Sequence, residues 1–459
     1  MAKTPHILLI VMDTVRQKHL SCYGYHRATT PGIDALARNG VIFSDAITTS
    51  SWTLPTHASI LTGMYSSKHG AHNQHQRLDE KLKTLPEVLL ERDYQTAAFS
   101  NNPYVSASMG LARGFETFAQ LWLTEGISKY FTQAKKLLLK ALKKHDKGAR
   151  EINKTVYKWL SEKAAQRRPT FVLINYLEAH LEYFPPRPYQ KLYLPPGFKS
   201  RDIRRINQDP VQYIGRKVEM KDSDFAVLTA LYDAELTYLD SKIDELVREY
   251  DRLGLLRDTL IIITSDHGDN IGESGFMGHE FSLSESILRI PMIIHYPPLF
   301  PAGTQIDHPV QLVDIMHTIL DIIGKKNGTE FQGRSLTPQN WDALTDRYTI
   351  SELFHPNEEI VQKRYSHLDL DQFLCDWKAI RHSGYKYLWS SRGNHRLYNI
   401  ADDPAERTNL AERESVIAKN MMDKLDQWKN SFEAYAVESG PEDLDQRTIE
   451  RLKKLGYID

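Results

Sequence analysis

The sequence predicts an α/β protein: a doubly wound, mostly parallel sheet with its chemistry at the strand ends, followed by a smaller C-terminal α+β domain with an antiparallel sheet. Three observations predict it. Short runs such as Ile7-Leu8-Leu9-Ile10-Val11 and Leu260-Ile261-Ile262-Ile263 are apolar throughout, as in strands buried on both faces. These runs alternate with helical patterns, which is how βαβ units build a parallel sheet. Beyond about residue 345 the pattern changes to apolar–polar alternation across a Gly393-Asn394 turn, a signal of antiparallel strands.

The first run ends in Met12 and delivers a carboxylate, Asp13. Pro31 to Gly40 reads as a helix with a glycine stop, and Val41-Ile42-Phe43 as the next strand. Further strands are predicted at 96–99, 171–177, 260–264 and 292–295, and helices at 85–92, 226–253 and 312–323. Asp314, at the head of the last helix, reads as a surface or capping carboxylate. Residues 195–220 are polar, without clear periodicity, and read as a long loop on the substrate side. Between 120 and 160, Lys135, Lys136, Lys140, Lys143, Lys144 and Lys147 surround a leucine run, the pattern of a basic amphipathic helix. It reads as a solvated helix packing its leucines, with a polyanionic substrate or a membrane surface as the alternative. The expected division is a catalytic domain over 1–344, with this basic insertion, and a small α+β domain over 345–459 whose helix runs to about Phe432.

Bulk properties narrow the function. A chain of 459 residues exceeds one small core, and 41% apolar residues suffice to fill more than one. A formal net charge of −1 gives no support for nucleic acid binding over the whole surface. No apolar run of about twenty residues predicts a membrane span. The start Met-Ala-Lys-Thr-Pro enters the first strand at once, so a cytoplasmic enzyme is expected, with Cys22 and Cys375 as reduced thiols. A homo-oligomer is compatible with all of this.

Ser265-Asp266-His267-Gly268 follows the run at 260–264 as Asp13 follows the first. Ligands gather at the carboxyl ends of strands in open α/β sheets, so Asp13, Asp266 and His267 can meet although about 250 residues separate them. Two carboxylates and an imidazole make a divalent cation site, with the histidine favouring Mn²⁺ or Zn²⁺ over Ca²⁺ or Mg²⁺. Thr53 lies in Trp52-Thr53-Leu54-Pro55-Thr56-His57, just before a predicted helix closed by Gly63. By itself it would be an ordinary N-cap; beside a divalent cation its hydroxyl becomes a nucleophile. His69, His72 and His75 fall on a loop with spacing too weak for a second metal, and Asp269 and Glu273 read as supporting or exposed acids.

The segment Thr53 to His57, with Leu61-Thr62-Gly63 and His69-Gly70, resembles the sulfatase signature Cys/Ser-x-Pro-x-Arg followed by Leu-Thr-Gly, in the alkaline phosphatase superfamily. The resemblance extends over nearly the whole chain, through the strand at Asp13, Ser265 to Gly268, Leu288-Arg289-Ile290-Pro291, Leu397-Tyr398-Asn399-Ile400, Asp403-Pro404-Ala405-Glu406 and the ending Leu455-Gly456-Tyr457. It implies that Asp13, Thr53, Asp266 and His267 surround one metal and that Thr53 attacks the substrate. It also implies that His180 and His279 serve the ester or its leaving oxygen. Four departures redirect the expected chemistry. Threonine cannot give the formylglycine of sulfatases, so it would form an ordinary ester, resolved by a second displacement at the transferred centre. His57 replaces the signature arginine and Asn101 stands at the usual lysine, which removes two charges around the anion. Met12 replaces one of two adjacent aspartates. Hydrolysis of a phosphodiester or phosphonate monoester is therefore expected, on a small-molecule or lipid- or sugar-linked substrate. Transfer to an acceptor alcohol and slow sulfatase activity without formylglycine are the alternatives.

Overall fold

The computed structural model describes residues 4–122, 146–163, 168–325, 331–356, 358–370, 373–436 and 449. Most of the basic stretch, including Lys135 to Lys144, and the ending Leu455-Gly456-Tyr457 fall outside the described residues.

Strand β1 (His6–Met12) lies inside an eight-stranded sheet with β2 (Val41–Ile47), β3 (Gln95–Ser100), β4 (Thr117–Gln120), β5 (Thr170–Tyr176), β6 (Thr259–Ser265), β9 (Met292–His295) and β10 (Thr304–Gln311). Their order is β10-β2-β9-β6-β1-β5-β3-β4. All pairings are parallel except those of β9, which runs antiparallel to β2 and β6. A ribbon of β7 (Asn270–Ile271) and β8 (Met277–Gly278) follows β6.

The apolar β1 run divides between the two faces of the sheet with a period of two. Leu8, Ile10 and Met12 join a core with Ile33, Val156 and Leu239, whereas Ile7, Leu9 and Val11 join a second core with Ile60, Leu89 and Ile319. Helices Pro31–Arg38, Ala149–Lys163 and Asp222–Arg252 cover the first face, and Thr53–Thr62, Leu85–Leu90 and Asp314–Ile322 the second. The fold class expected from sequence is the one observed.

The C-terminal sheet is antiparallel, in the order β11 (Thr349–Leu353), β12 (Trp377–His382), β13 (Tyr385–Ser390) and β14 (Arg396–Asn399). Helix Ser415–Lys429 packs on it through Met421 and Leu425. The sheet also touches the catalytic side directly: Glu352 N donates to Thr49 O at 2.9 Å, Ser50 Oγ to Glu352 O at 2.7 Å and Ser351 Oγ to Thr48 O at 2.6 Å. Residues 48–50, just ahead of Thr53, are thus held from behind.

Two local expectations are corrected. The 195–220 stretch contains short helices at Ser200–Ile203 and Pro210–Ile214, the second capped by Asp209, whose carboxylate accepts from Val211 N at 2.9 Å. Asp314 is fully buried, where Arg347 Nη2 donates to Oδ1 at 2.8 Å and Gln311 N to Oδ2 at 2.7 Å. Helical position alone could not reveal a partner 33 residues away.

Candidate active site

Register brings the acids together. Met12 pairs with Ser265 across β1 and β6, so the next residues, Asp13 and Asp266, leave neighbouring strands side by side. The turn after β6 is fixed by its own polar groups. Ser265 Oγ donates to His267 O at 2.6 Å, and Asp266 Oδ1 accepts from His267 N at 2.8 Å and from Thr14 N at 3.2 Å. His267 Nδ1 lies 2.8 Å from Gly268 O, which places the proton on Nδ1 and leaves Nε2 as a lone-pair donor.

Asp13, Asp266 and His267 are all fully buried, and one ligand atom from each lies within 4.8 Å of the others. Asp13 Oδ1, Asp266 Oδ2 and His267 Nε2 have no hydrogen-bond partner. Buried polar atoms are almost always satisfied, so three orphaned acceptors converging on one point fit a divalent cation. The proton equilibria carry the same imprint. Burial and then the neighbouring Asp266 hold Asp13 well above the ordinary carboxylate range; burial raises Asp266 to about 7 and lowers His267 to about 3. A cation among them would reverse the two carboxylate shifts.

Thr53 opens the buried helix Thr53–Thr62 at its first position, one residue further in than the N-cap expected from sequence; Trp52 is the N-cap. Gly63 closes this helix with φ of 66°, a left-handed conformation suited to glycine. Only 1% of Thr53 is exposed; its hydroxyl accepts from Asn102 Nδ2 at 3.3 Å and acts on Asp266, whose pKa it lowers. That amide also donates to Asp13 Oδ2 at 2.6 Å. Asn102 therefore joins the threonine to the acid cluster.

Four histidines approach this point. His57 Nδ1 bonds to Thr53 O at 2.9 Å, while Nε2 is buried without a partner. Burial lowers its pKa to about 4, so the residue at the signature arginine position is neutral near pH 7. The His279 ring is 4.3 Å from that of His267 and 5.5 Å from that of His180, with His279 Nδ1 3.1 Å from Ser51 O. Burial and His267 hold His279 well below its usual pKa. His180 Nδ1 lies 2.5 Å from Leu181 O.

Thus Asp13, Thr53, His57, His180, Asp266, His267 and His279 come together, but Asn101 does not join them. Its amide is hydrogen-bonded to Lys147 O, while the adjacent Asn102 reaches Thr53. Sequence reasoning missed Asn102 because alignment to a family lysine selected the residue before it. The strand-end rule that places Asp13 after β1 selects Asn101 after β3, so no local signal singles out Asn102. His69 lies 3.2 Å from Ser59 Oγ and His72 stacks on Phe354 at 3.9 Å, and among the described residues Asp13, Asp266 and His267 form the one metal-competent group. Asp269 and Glu273 act behind the site: Asp269 accepts from Tyr183 OH at 2.6 Å, and Glu273 pairs with Arg16.

Over most of its length the chain is similar to known sulfatases and to related hydrolase structures. A family profile described as sulfatase matches residues 5–325, and one for the C-terminal part of N-sulphoglucosamine sulphohydrolase matches 272–431. Arylsulfatase K of Bos taurus is 24% identical over 92% of this chain and 81% of its own length. Choline-sulfatase of Rhizobium meliloti is 23% identical over 89% and 82%. Among solved structures, the phosphonate monoester hydrolase of Agrobacterium radiobacter superposes with a TM-score of 0.74 at 20% identity, covering 94% of this chain and 96% of that one.

Proposed function

The chain belongs to the sulfatase family, a hydrolase family acting on ester bonds with a divalent metal ion, and from that membership we propose that it cleaves phosphodiester or phosphonate monoester bonds through a covalent ester on Thr53. The observation that carries this reading is Thr53 itself, a threonine hydroxyl held by Asn102, which also holds Asp13, where the family's modified residue stands. Asp13, Asp266 and His267 would hold the cation, with Mn²⁺ or Zn²⁺ favoured by the imidazole. When bound, it supplies Lewis acidity and lowers the pKa of a hydroxyl beside it.

Thr53 Oγ1 attacks phosphorus, and the bond to the leaving oxygen breaks as that oxygen takes a proton. As the Oγ1–phosphorus bond forms the Thr53 proton passes to the neutral His279, and His180 hands the leaving oxygen the proton it takes. Water then attacks phosphorus, the bond to Oγ1 breaks, and the threonine hydroxyl is restored. Asn102 holds Oγ1 in line throughout. A neutral His57 and an averted Asn101 support a substrate with one negative charge rather than two. Residues 1–344 are read as the catalytic unit and 345–459 as its buttress, and unbridged Cys22 and Cys375 fit a cytoplasmic setting.

Turnover of bis-aryl phosphodiesters and aryl phosphonate monoesters by the Mn²⁺-loaded enzyme tests the proposal. No turnover of either, or full turnover by Thr53→Ala, would sink it. A second reading, sulfuric ester hydrolysis, is favoured by the sulfatase names of the relatives. Faster turnover of aryl sulfate than of phosphodiester would select it. Glycerol ester formation in the presence of glycerol would instead reveal phosphotransfer.

A further inference from the structure

At the seam between the two sheets lies a cavity of about 280 Å³, room for a small ligand. None of Asp13, Thr53, His57, His180, Asp266, His267 or His279 lines it. The large sheet contributes Asp45 of β2, Asp307 of β10 and Arg289, and the C-terminal sheet contributes Thr349 of β11 and Arg381 of β12. Thr349 and Arg381 stand opposite each other in the register of β11 and β12, so their side chains leave the same face of the sheet side by side. The two-residue turn after β12 fixes that register, with φ of 47° at Ser383 and 79° at Gly384.

Both side chains are buried, Thr349 at 1% exposure and Arg381 at 5%. Arg381 engages its carboxylates through one nitrogen, Nη2, which lies 3.2 Å from Asp45 Oδ1 and 3.2 Å from Glu285 Oε2. Arg381 Nε and Nη1 and Thr349 Oγ1 have no hydrogen-bond partner among the described residues. The acids that line the cavity turn to other donors. Asp45 Oδ1 also meets Arg289 Nη1 at 3.2 Å, and Asp307 Oδ1 accepts from Gln305 Nε2 at 2.8 Å. Guanidinium nitrogens only donate, and leaving buried donors unsatisfied is costly, so what this cavity lacks is an acceptor.

We propose that the cavity binds a small oxyanion, a carboxylate or a phosphate-type group, which accepts from the unpaired N–H groups of Arg381 and from the hydroxyl of Thr349. Arg381 supplies the charge, and hydrogen bonds to an ionised partner are the strong ones. Because the walls belong to both sheets, the occupant joins the catalytic and C-terminal units, and stability rises with its concentration. No residue of the ester-cleaving centre takes part, so the site stands whether or not that reading holds.

Thermal unfolding and titration calorimetry of the full chain test this, with inorganic phosphate, acetate and, as the control at matched ionic strength, sodium chloride. Wild type should gain Tm with phosphate, acetate or both beyond the chloride control, and the one that acts identifies the oxyanion. Thr349→Val keeps the shape of the side chain and removes the unpaired hydroxyl. Without anion it should be at least as stable as wild type, whereas its Kd for the anion should rise about tenfold. Arg381→Lys keeps a cation for Asp45 and Glu285 but lacks the unpaired guanidinium nitrogens, and should weaken binding by about tenfold or more. If Arg381→Lys fails to fold, Thr349→Val decides alone. Equal responses of wild type to phosphate, acetate and chloride, or an anion affinity of Thr349→Val within about threefold of wild type, overturns the proposal.

Discussion

Two regions of this molecule bury charge in opposite ways. At the seam between the large sheet and the C-terminal sheet every buried carboxylate has a cation. Glu285 meets Arg289 at 2.8 Å, Arg381 at 3.2 Å and Lys386 at 3.3 Å, while Glu352 is paired with Lys378. At the carboxyl ends of β1 and β6, Asp13 and Asp266 lie equally deep, with oxygen atoms that nothing satisfies. Leaving a buried charge uncompensated costs several kcal/mol, so such atoms persist where something outside the chain completes them. The seam uses charge for architecture, and the strand ends reserve it for chemistry.

The contrast can be broken most severely at the strand ends. Thr53→Ala should lower kcat on an aryl phosphodiester on the order of 10⁴-fold while bound metal, measured by elemental analysis, stays near one equivalent. Asp266→Ala should remove the metal instead, raising the Kd for Mn²⁺ at least ~100-fold, and a threonine ester should no longer be trapped from either variant. Deleting an apolar side chain of the C-terminal unit should act on stability alone. Leu425→Ala, at a fully buried position under the C-terminal sheet, should cost about 2–5 kcal/mol in denaturant unfolding with kcat preserved in the folded fraction. Asn102→Ala should reduce kcat about 10- to 100-fold with KM little changed, because its amide positions Oγ1 rather than binding the ester.

The smallest effect sharpens the comparison through pH. Burial raises the Glu285 pKa, but Arg381, then Lys386 and Arg289, outweigh it and bring the carboxyl down to about 2. A folded pKa below the unfolded value of 4.5 gives stability that is fully present above about pH 4.5 and lost as pH falls towards 2. Glu285→Gln should therefore be less stable than wild type at pH 6 and lose less between pH 4.5 and 2. Identical pH slopes for the two proteins would show that the seam pairing contributes nothing.

Much of this was legible in the chain. Continuous apolar runs ending in Asp13 and in Ser265-Asp266-His267 announced strands buried on both faces, because a run without polar alternation has no face for water. Thr53 and the helix behind it were readable from Pro55 and Gly63, since these residues carry their backbone preferences with them. Asn102, Lys147 and Asp314 were not. Asn101 and Asn102 are equivalent as letters, and only the path of the chain beyond β3 decides which amide meets Thr53 and which turns to Lys147. Asp314 sits on its helix as a surface acid would, until Arg347 closes on it.

The sequence by itself determined the continuous apolar strands, the longer helices and the kinds of group at their ends, because these depend on periodicity and local backbone preference, while strands Thr117–Gln120 and Thr304–Gln311 carry no such run. Tertiary structure decided which of those groups converge, which are paired and which are left unsatisfied, because register and long-range packing place partners that no local pattern can connect.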